Sequence, residues 1–184
     1  QGTGKTKTTI DILENLFLSH HIKQVVIIAP NGVHRQWGKT GTNPNDLGEI
    51  EKHGFVPNKR LVWQSNKKYA KLLAAFTKDD SGVLKYLCVN VEAFSTSTYI
   101  NLFAQFVAHA PTFIVVDEAT SIKNPEAART ENITHGLAQC QRVGRRLVDY
   151  LPYSVGRCIL TGTPEAKGPY GLWSMLEFVQ KGFW

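Results

Sequence analysis

The sequence predicts a doubly wound α/β domain, and three observations carry that prediction. Four short runs, Val25–Pro30 (VVIIAP), Tyr86–Val91 (YLCVNV), Phe113–Asp117 (FIVVD) and Cys158–Thr161 (CILT), are almost continuously apolar, as strands buried on both faces of a parallel sheet must be. Helical spacing separates them. Ile10, Leu13 and Phe17 share one face of the stretch from Thr6 to Ser19, and Leu172, Met175, Leu176 and Val179 follow an i, i+3, i+4, i+7 pattern; both stripes read as core contacts. Every chemistry-bearing motif falls where a strand ends, which is where open α/β sheets bind ligands.

Each element has a local reason. The chain opens QGTGKTKTT, the tail of a G-x-x-x-x-G-K-[ST] phosphate loop whose first glycine would lie just before Gln1. A strand normally feeds such a loop and a natural chain begins with Met, so these 184 residues read as a fragment of a longer protein, with the fold incomplete at its N-terminus. Small residues at Gly2, Thr3 and Gly4 let backbone N–H groups wrap phosphates. Lys5 offers a positive charge to the terminal phosphates, and the Thr6 hydroxyl suits Mg²⁺. The least regular stretch, Gly38 to Arg60, is rich in Gly, Asn and Pro and reads as loop or insertion. It holds a second Gly-Lys-Thr at Gly38–Thr40. There the preceding glycine, Gly32, is out of register and no helix former follows, so it is a decoy.

At the end of the third run, Asp117 and Glu118 complete a nucleotide-hydrolysing pair: Asp117 beside Mg²⁺, and Glu118 able to orient and deprotonate a water. Adjacent acids at a strand end also cap helices, and the phosphate loop upstream favours the catalytic reading. The fourth run ends in Thr161-Gly162-Thr163-Pro164, hydroxyls and a glycine at the same edge.

Composition bounds the alternatives. The chain is 42% hydrophobic and 20% charged with a formal charge of +6, which suits one soluble domain with an acidic partner such as nucleic acid. Cys88, Cys140 and Cys158 are scattered, against both a zinc ribbon and a disulfide framework and in keeping with a reducing compartment, cytoplasmic or nuclear. No stretch reaches the roughly 18 apolar residues of a membrane span, so no membrane partner is expected. Lys67, Lys68, Lys71 and Lys78 fall in one helical stretch, and Arg142, Arg145 and Arg146 form a second basic cluster. Such runs are more often solvated faces than DNA contacts. His20-His21 complements a helix C-terminus.

Taken in order, GTGKT, VVDEATSIKNP and ILTGTPEAKGPYGLWSML resemble the Swi/Snf-type branch of superfamily 2 helicases. DEATSIKNP is similar to that branch's DEAH-x-x-KN-P segment, and LTGTP followed by LWSML to its TGTP-x-x-N-x-x-x-x-LWSLL segment. VVIIAPNGVHRQW and YLCVNVEAF resemble its motifs Ia and Ib. The resemblance spans residues 1–184 and implies the first, N-terminal RecA-like lobe of a P-loop NTPase, with the second lobe lying outside these residues. The implied function is an ATP-driven, DNA-dependent translocase acting on duplex DNA with ATP and Mg²⁺.

By the same resemblance, Gly2, Thr3, Gly4, Lys5 and Thr6 bind ATP. Thr6 and Asp117 hold the metal, and Lys5, Asp117 and Glu118 are catalytic. Thr120, Thr161, Gly162 and Thr163 couple the ATP site to the second lobe. The segments Asn31–Trp37 and Asn90–Phe94, with Pro30, Asn31, Arg35 and Asn90 foremost, face the DNA backbone, although Trp37 reads equally as core. Thr120 stands where the family has His, and EAKGPYG replaces its usual leucine, glutamine and asparagine. The compact spacing is closer to small phage and bacterial members. An arginine reaching in from the second lobe contributes about 10³ to 10⁵ in rate in such sites, so one lobe alone should hydrolyse ATP weakly. Two other classes stay open: a non-catalytic nucleic-acid-binding or nucleotide-sensing module, and a small phosphotransferase.

Overall fold

The computed structural model describes residues 4–41, 46–66, 68–95, 99–137, 140–143, 146–149, 154–162 and 169–182. Five parallel strands form the sheet in the order β2-β3-β1-β4-β7: β1 Gln24–Ala29, β2 Asn58–Val62, β3 Leu84–Asn90, β4 Thr112–Asp117 and β7 Ser154–Leu160. All four expected strands are present. Strict alternation sorts their side chains between two helical layers. Val26, Ile28, Leu87, Val89, Ile114 and Val116 face a core closed by α4 (Tyr69–Lys78), α5 (Ile100–His109) and α7 (Pro169–Val179). Val25, Ile27, Tyr86, Cys88 and Val115 face α1 (Lys5–Leu18), α2 (Val33–Gly38) and α3 (Glu49–His53). Period-two alternation with both faces apolar is what made the runs look continuous in sequence.

Helix α1 runs antiparallel to the strands. Its first turn lines a cavity with Cys158 and Leu160 near the strands' carboxyl ends, and its last turn lines another with Val83, Lys85 and Ala110 at their amino ends. Ile10 and Leu13 are fully buried and Phe17 packs partly against the same core, as their spacing predicts. The α7 stripe needs correction. Met175 and Phe178 enter the core, whereas Leu172 is 37% exposed, so the buried face is rotated from the one read in sequence.

Two further corrections concern elements the sequence hid. The stretch read as loop contains α3, anchored by the fully buried Ile50, and the first residues of β2. That strand is an edge of the sheet, and its Lys59 and Arg60 pair with Asp79 and Glu51. Charged edge strands resist further pairing and lack an apolar signature. Between β4 and β7 lie α6 (Ala128–Glu131), a π-helical turn and an antiparallel hairpin of β5 (Cys140–Val143) and β6 (Arg146–Asp149). Arg142 and Arg146 belong to that hairpin.

Candidate nucleotide site

The sheet's carboxyl edge gathers most of the predicted residues, and strand register shows how. Asp117 lies beside Leu160, which Thr161 follows, and Ala29, which precedes Pro30, lies beside Asn90. Phe113, Val115 and Asp117 alternate onto one face, the face that carries α1 and α2. The Asp117 carboxylate therefore points to the layer in which α1 begins at Lys5.

Gly4 supplies that beginning. Its φ of 75° is a left-handed conformation, which glycine adopts without strain. Among the described residues no side chain caps the helix, so the first-turn N–H groups and the positive end of the helix dipole are left for an anion. Among the described residues no ion pair reaches Lys5. The adjoining cavity, about 440 Å³, has walls of Ile12, Leu13, Phe113, Cys158 and Leu160. Those apolar walls cannot bind phosphate. The polar Lys5 end of the helix can.

Asp117 is held at both oxygens. Oδ1 accepts from the backbone N–H of Glu118 at 2.9 Å, and Oδ2 accepts from the indole Nε1–H of Trp37 at 2.8 Å. Glu118 has a φ of 49° and a ψ of 59°, a left-handed conformation costing a non-glycine residue about 1–3 kcal/mol and typical of working sites. Next comes a 3₁₀ turn, Ala119–Ile122, with Thr120 half-buried within it. The turn is braced from α7, where Ser174 Oγ donates to the carbonyl of Lys123 at 3.1 Å. Thr161 is half-buried and Gly162 exposed at the end of β7. Gly2, Thr3 and Thr163 lie outside the described residues.

The nucleic-acid candidates divide. Asn31 and Arg35 are exposed around the start of α2, and Pro30 is half-buried. Asn90 is half-buried with its Oδ1 sealed from solvent and unpartnered. Trp37 is 1% exposed, so its ring belongs to the core, as do Val91 and Phe94. His34, on the inner side of α2, is buried too, and burial lowers its imidazole pKa below the ordinary value. Lys71 and Lys78 stand two turns apart on one side of α4, and Lys78 reaches the cavity at the amino edge. Lys67 lies outside the described residues. The second Gly-Lys-Thr is no phosphate loop: Gly38 ends α2 against Cys88, and Lys39 pairs with Asp46. The Trp37–Asp117 hydrogen bond has no local pattern that announces it. The one signal for it in sequence is an indole whose buried N–H needs an acceptor.

A parallel sheet with a glycine-led helix and an acid pair at its carboxyl edge defines the P-loop α/β class. The SNF2-related domain model matches residues 1–184, so the chain belongs to that family. It is 24% identical over 186 residues to chromodomain-helicase-DNA-binding protein 8 of Danio rerio, covering 97% of this chain and 6% of that protein. It is 27% identical over 181 residues to Helicase SWR1 of Yarrowia lipolytica, covering 97% and 8%. The chain thus spans less than a tenth of these relatives. Among solved structures, the Sulfolobus solfataricus SWI2/SNF2 ATPase core in complex with dsDNA aligns with a TM-score of 0.63 at 20% identity, covering 99% of this chain and 30% of that one. The fold is therefore that of part of an SNF2 ATPase core.

Proposed function

We propose that residues 1–184 are the first RecA-like lobe of a Swi/Snf-type DNA-dependent ATPase, which binds Mg²⁺·ATP and hydrolyses it with a second lobe of the same chain. The observation that carries this reading is the meeting, at the sheet's carboxyl edge, of a glycine-led α1 that no side chain caps among the described residues with the Asp117-Glu118 pair that ends β4. The names of the relatives, two helicases and an ATPase core with double-stranded DNA, support it.

In this reading Gly2, Thr3, Gly4 and the first-turn N–H groups cradle the phosphates while Lys5 neutralises the terminal ones. The donor set fits magnesium, since the Thr6 hydroxyl and Asp117 carboxylate are hard oxygen ligands. Bound Mg²⁺ would offset charge on the phosphate oxygens. Glu118, set off from β4 by its left-handed backbone, accepts the proton of the attacking water. Thr120, Thr161, Gly162 and Thr163 relay the state of the site toward the second lobe. Duplex DNA lies along Pro30, Asn31 and Arg35, and Asn90 buttresses that loop. Work on DNA assigns the protein to the nucleus or to a bacterial or phage-infected cytoplasm.

The test is steady-state ATPase activity of the full-length protein with and without duplex DNA. DNA should stimulate turnover. Glu118→Gln should keep ATP binding and lose about 10²- to 10⁴-fold in kcat, the usual contribution of a general base. Undiminished turnover in that variant removes Glu118 from the mechanism, and DNA binding indifferent to ATP favours a non-catalytic module.

A further inference from the structure

The structure assigns Trp37 a second task besides filling the core: we propose that it is a positioning residue for Asp117, and that its indole N–H fixes the carboxylate in the orientation that receives the metal of Mg²⁺·ATP. The inference rests on the ATP-site reading above and extends it to a residue whose part is read from geometry alone.

A carboxylate on one rotatable side chain can present its oxygens in many orientations, and an ionised carboxylate has about four lone-pair positions to fill. Here one donor reaches each oxygen, Glu118 N–H to Oδ1 at 2.9 Å and Trp37 Nε1–H to Oδ2 at 2.8 Å. Two donors on two oxygens fix the plane of the group and leave a free lone pair on each for a further partner. The Glu118 donor is the next residue in the chain and moves with Asp117. The Trp37 donor comes from another element, 80 residues away in sequence. Among the described residues it is the donor that ties the carboxylate to a different element of the fold.

The indole is itself packed in the core. Trp37 is 1% exposed, within the core shared by α1, α2 and the sheet. The next residue, Gly38, sets how closely α2 approaches the sheet, since a Cβ there would lie 2.8 Å from both Cys88 Sγ and Val62 Cγ2. A phenylalanine ring would fill much of the same apolar space. What it lacks is the N–H, the part of tryptophan that the core does not need and the carboxylate uses. On its outer side the same helix exposes Arg35, so one short element carries a solvent-facing cation and the donor to Asp117.

The experiment compares full-length wild-type protein with Trp37→Phe, using Mn²⁺ as a paramagnetic stand-in for Mg²⁺ and a non-hydrolysable ATP analogue. Electron paramagnetic resonance of free Mn²⁺ gives the metal affinity of the ternary complex without reference to activity. Trp37→Phe should weaken Mn²⁺ binding by about tenfold or more, the scale set by losing a hydrogen bond to a charged group. Affinity for the analogue in the absence of metal should be unchanged. A purely structural role would lower the folded fraction and leave the Mn²⁺ affinity of the folded molecules as it was, and that outcome overturns the proposal. Wild-type protein that binds no Mn²⁺ with the analogue overturns the ATP-site reading as well, which separates the two failures. If Trp37→Phe does not fold, the Trp37 indole ¹H–¹⁵N resonance is followed in otherwise wild-type protein carrying Asp117→Asn. A moved resonance upholds the contact and an unmoved one overturns it.

Discussion

At the amino edge of the sheet, Gln24, Lys85 and Thr112 lie in register on three neighbouring strands, and all three are buried. The Lys85 ammonium donates to the carbonyls of Thr77 at 2.9 Å and Asp79 at 3.1 Å, with that of Phe76 at 3.4 Å, and so closes the C-terminal end of α4. With its amide oriented to suit its neighbours, Gln24 accepts from Lys85 at 3.0 Å and donates to the Phe106 carbonyl at 2.7 Å and to Thr112 Oγ1 at 3.1 Å. At the carboxyl edge the arrangement is the opposite. Among the described residues the first turn of α1 has no side-chain cap and Lys5 no ion pair, and Glu118 has a strained backbone. Polar groups at the amino edge are spent on the fold, whereas at the carboxyl edge Lys5 and the first-turn N–H groups of α1 are left for something else. Burial alone does not mark function. The distinction lies in whether the chain satisfies the groups it buries.

The sharpest way to break this comparison is to make the same substitution at both edges. Lys5→Met should weaken ATP binding by about 2–5 kcal/mol, the cost of truncating one partner of a close charge pair, and change stability by no more than about 0.5 kcal/mol. Lys85→Met should do the reverse, removing about 2–3 kcal/mol of stability by orphaning buried carbonyls, with ATP affinity intact in the molecules that fold. Urea unfolding and titration with a fluorescent ATP analogue measure the two effects. Loss of stability at Lys5, or loss of nucleotide binding at Lys85, would show the edges to be less distinct than their hydrogen bonds imply.

How much of this was legible in the sequence follows from the same distinction. Strands β1, β3, β4 and β7 were legible because burial on both faces leaves an unbroken apolar run, and the helix after Lys5 because Ile10 and Leu13 repeat at helical spacing. The order of the motifs located the carboxyl edge. Strand β2 was not legible, since an edge strand carrying Lys59 and Arg60 presents charge where a central strand presents Val or Ile. The buried face of α7 was misread because Leu172 continues the apolar spacing yet lies outward. The network of Gln24, Lys85 and Thr112 gave no signal, each residue being ordinary by itself and their meeting a matter of register. Trp37 was visible as a residue, but its bond to Asp117 spans 80 positions, and no local pattern encodes such a distance.

A smaller effect probes how tightly the α2 layer seats the carboxyl edge. Gly38→Ala would drive a methyl group to 2.8 Å from Cys88 Sγ and Val62 Cγ2, and overpacking of this kind costs about 1–3 kcal/mol. Cys88 gives the damage a chemical reporter. Burial holds its thiol pKa up at about 12, so in the intact protein it should resist thiol reagents at neutral pH. Faster labelling of Cys88 in the Gly38→Ala variant would register α2 lifting from the sheet, and unchanged labelling would mean that the layer absorbs the extra methyl in place.

The smallest effect concerns Glu14, the buried acid that joins α1 to the segment after α3. Its Oε2 accepts from the backbone N–H of Phe55 at 2.6 Å and of Val56 at 3.3 Å, and its other oxygen has no partner. Burial raises its pKa above the ordinary value of 4.5; the two backbone donors pull it down, and nearby Asp11 adds a smaller upward push. Because the folded value lies above the unfolded one, the native state holds this proton over a range in which the unfolded chain has released it. The contribution is therefore complete below pH 4.5 and lost as pH rises through the raised folded value. Glu14→Gln keeps an oxygen acceptor for Phe55 and Val56 and removes the titration, so the difference in stability between wild type and variant should change with pH across that window. Urea unfolding at a series of pH values measures it. A constant difference would mean that the two backbone donors fully offset burial, making Glu14, like Lys85, a charged group the fold has completely satisfied.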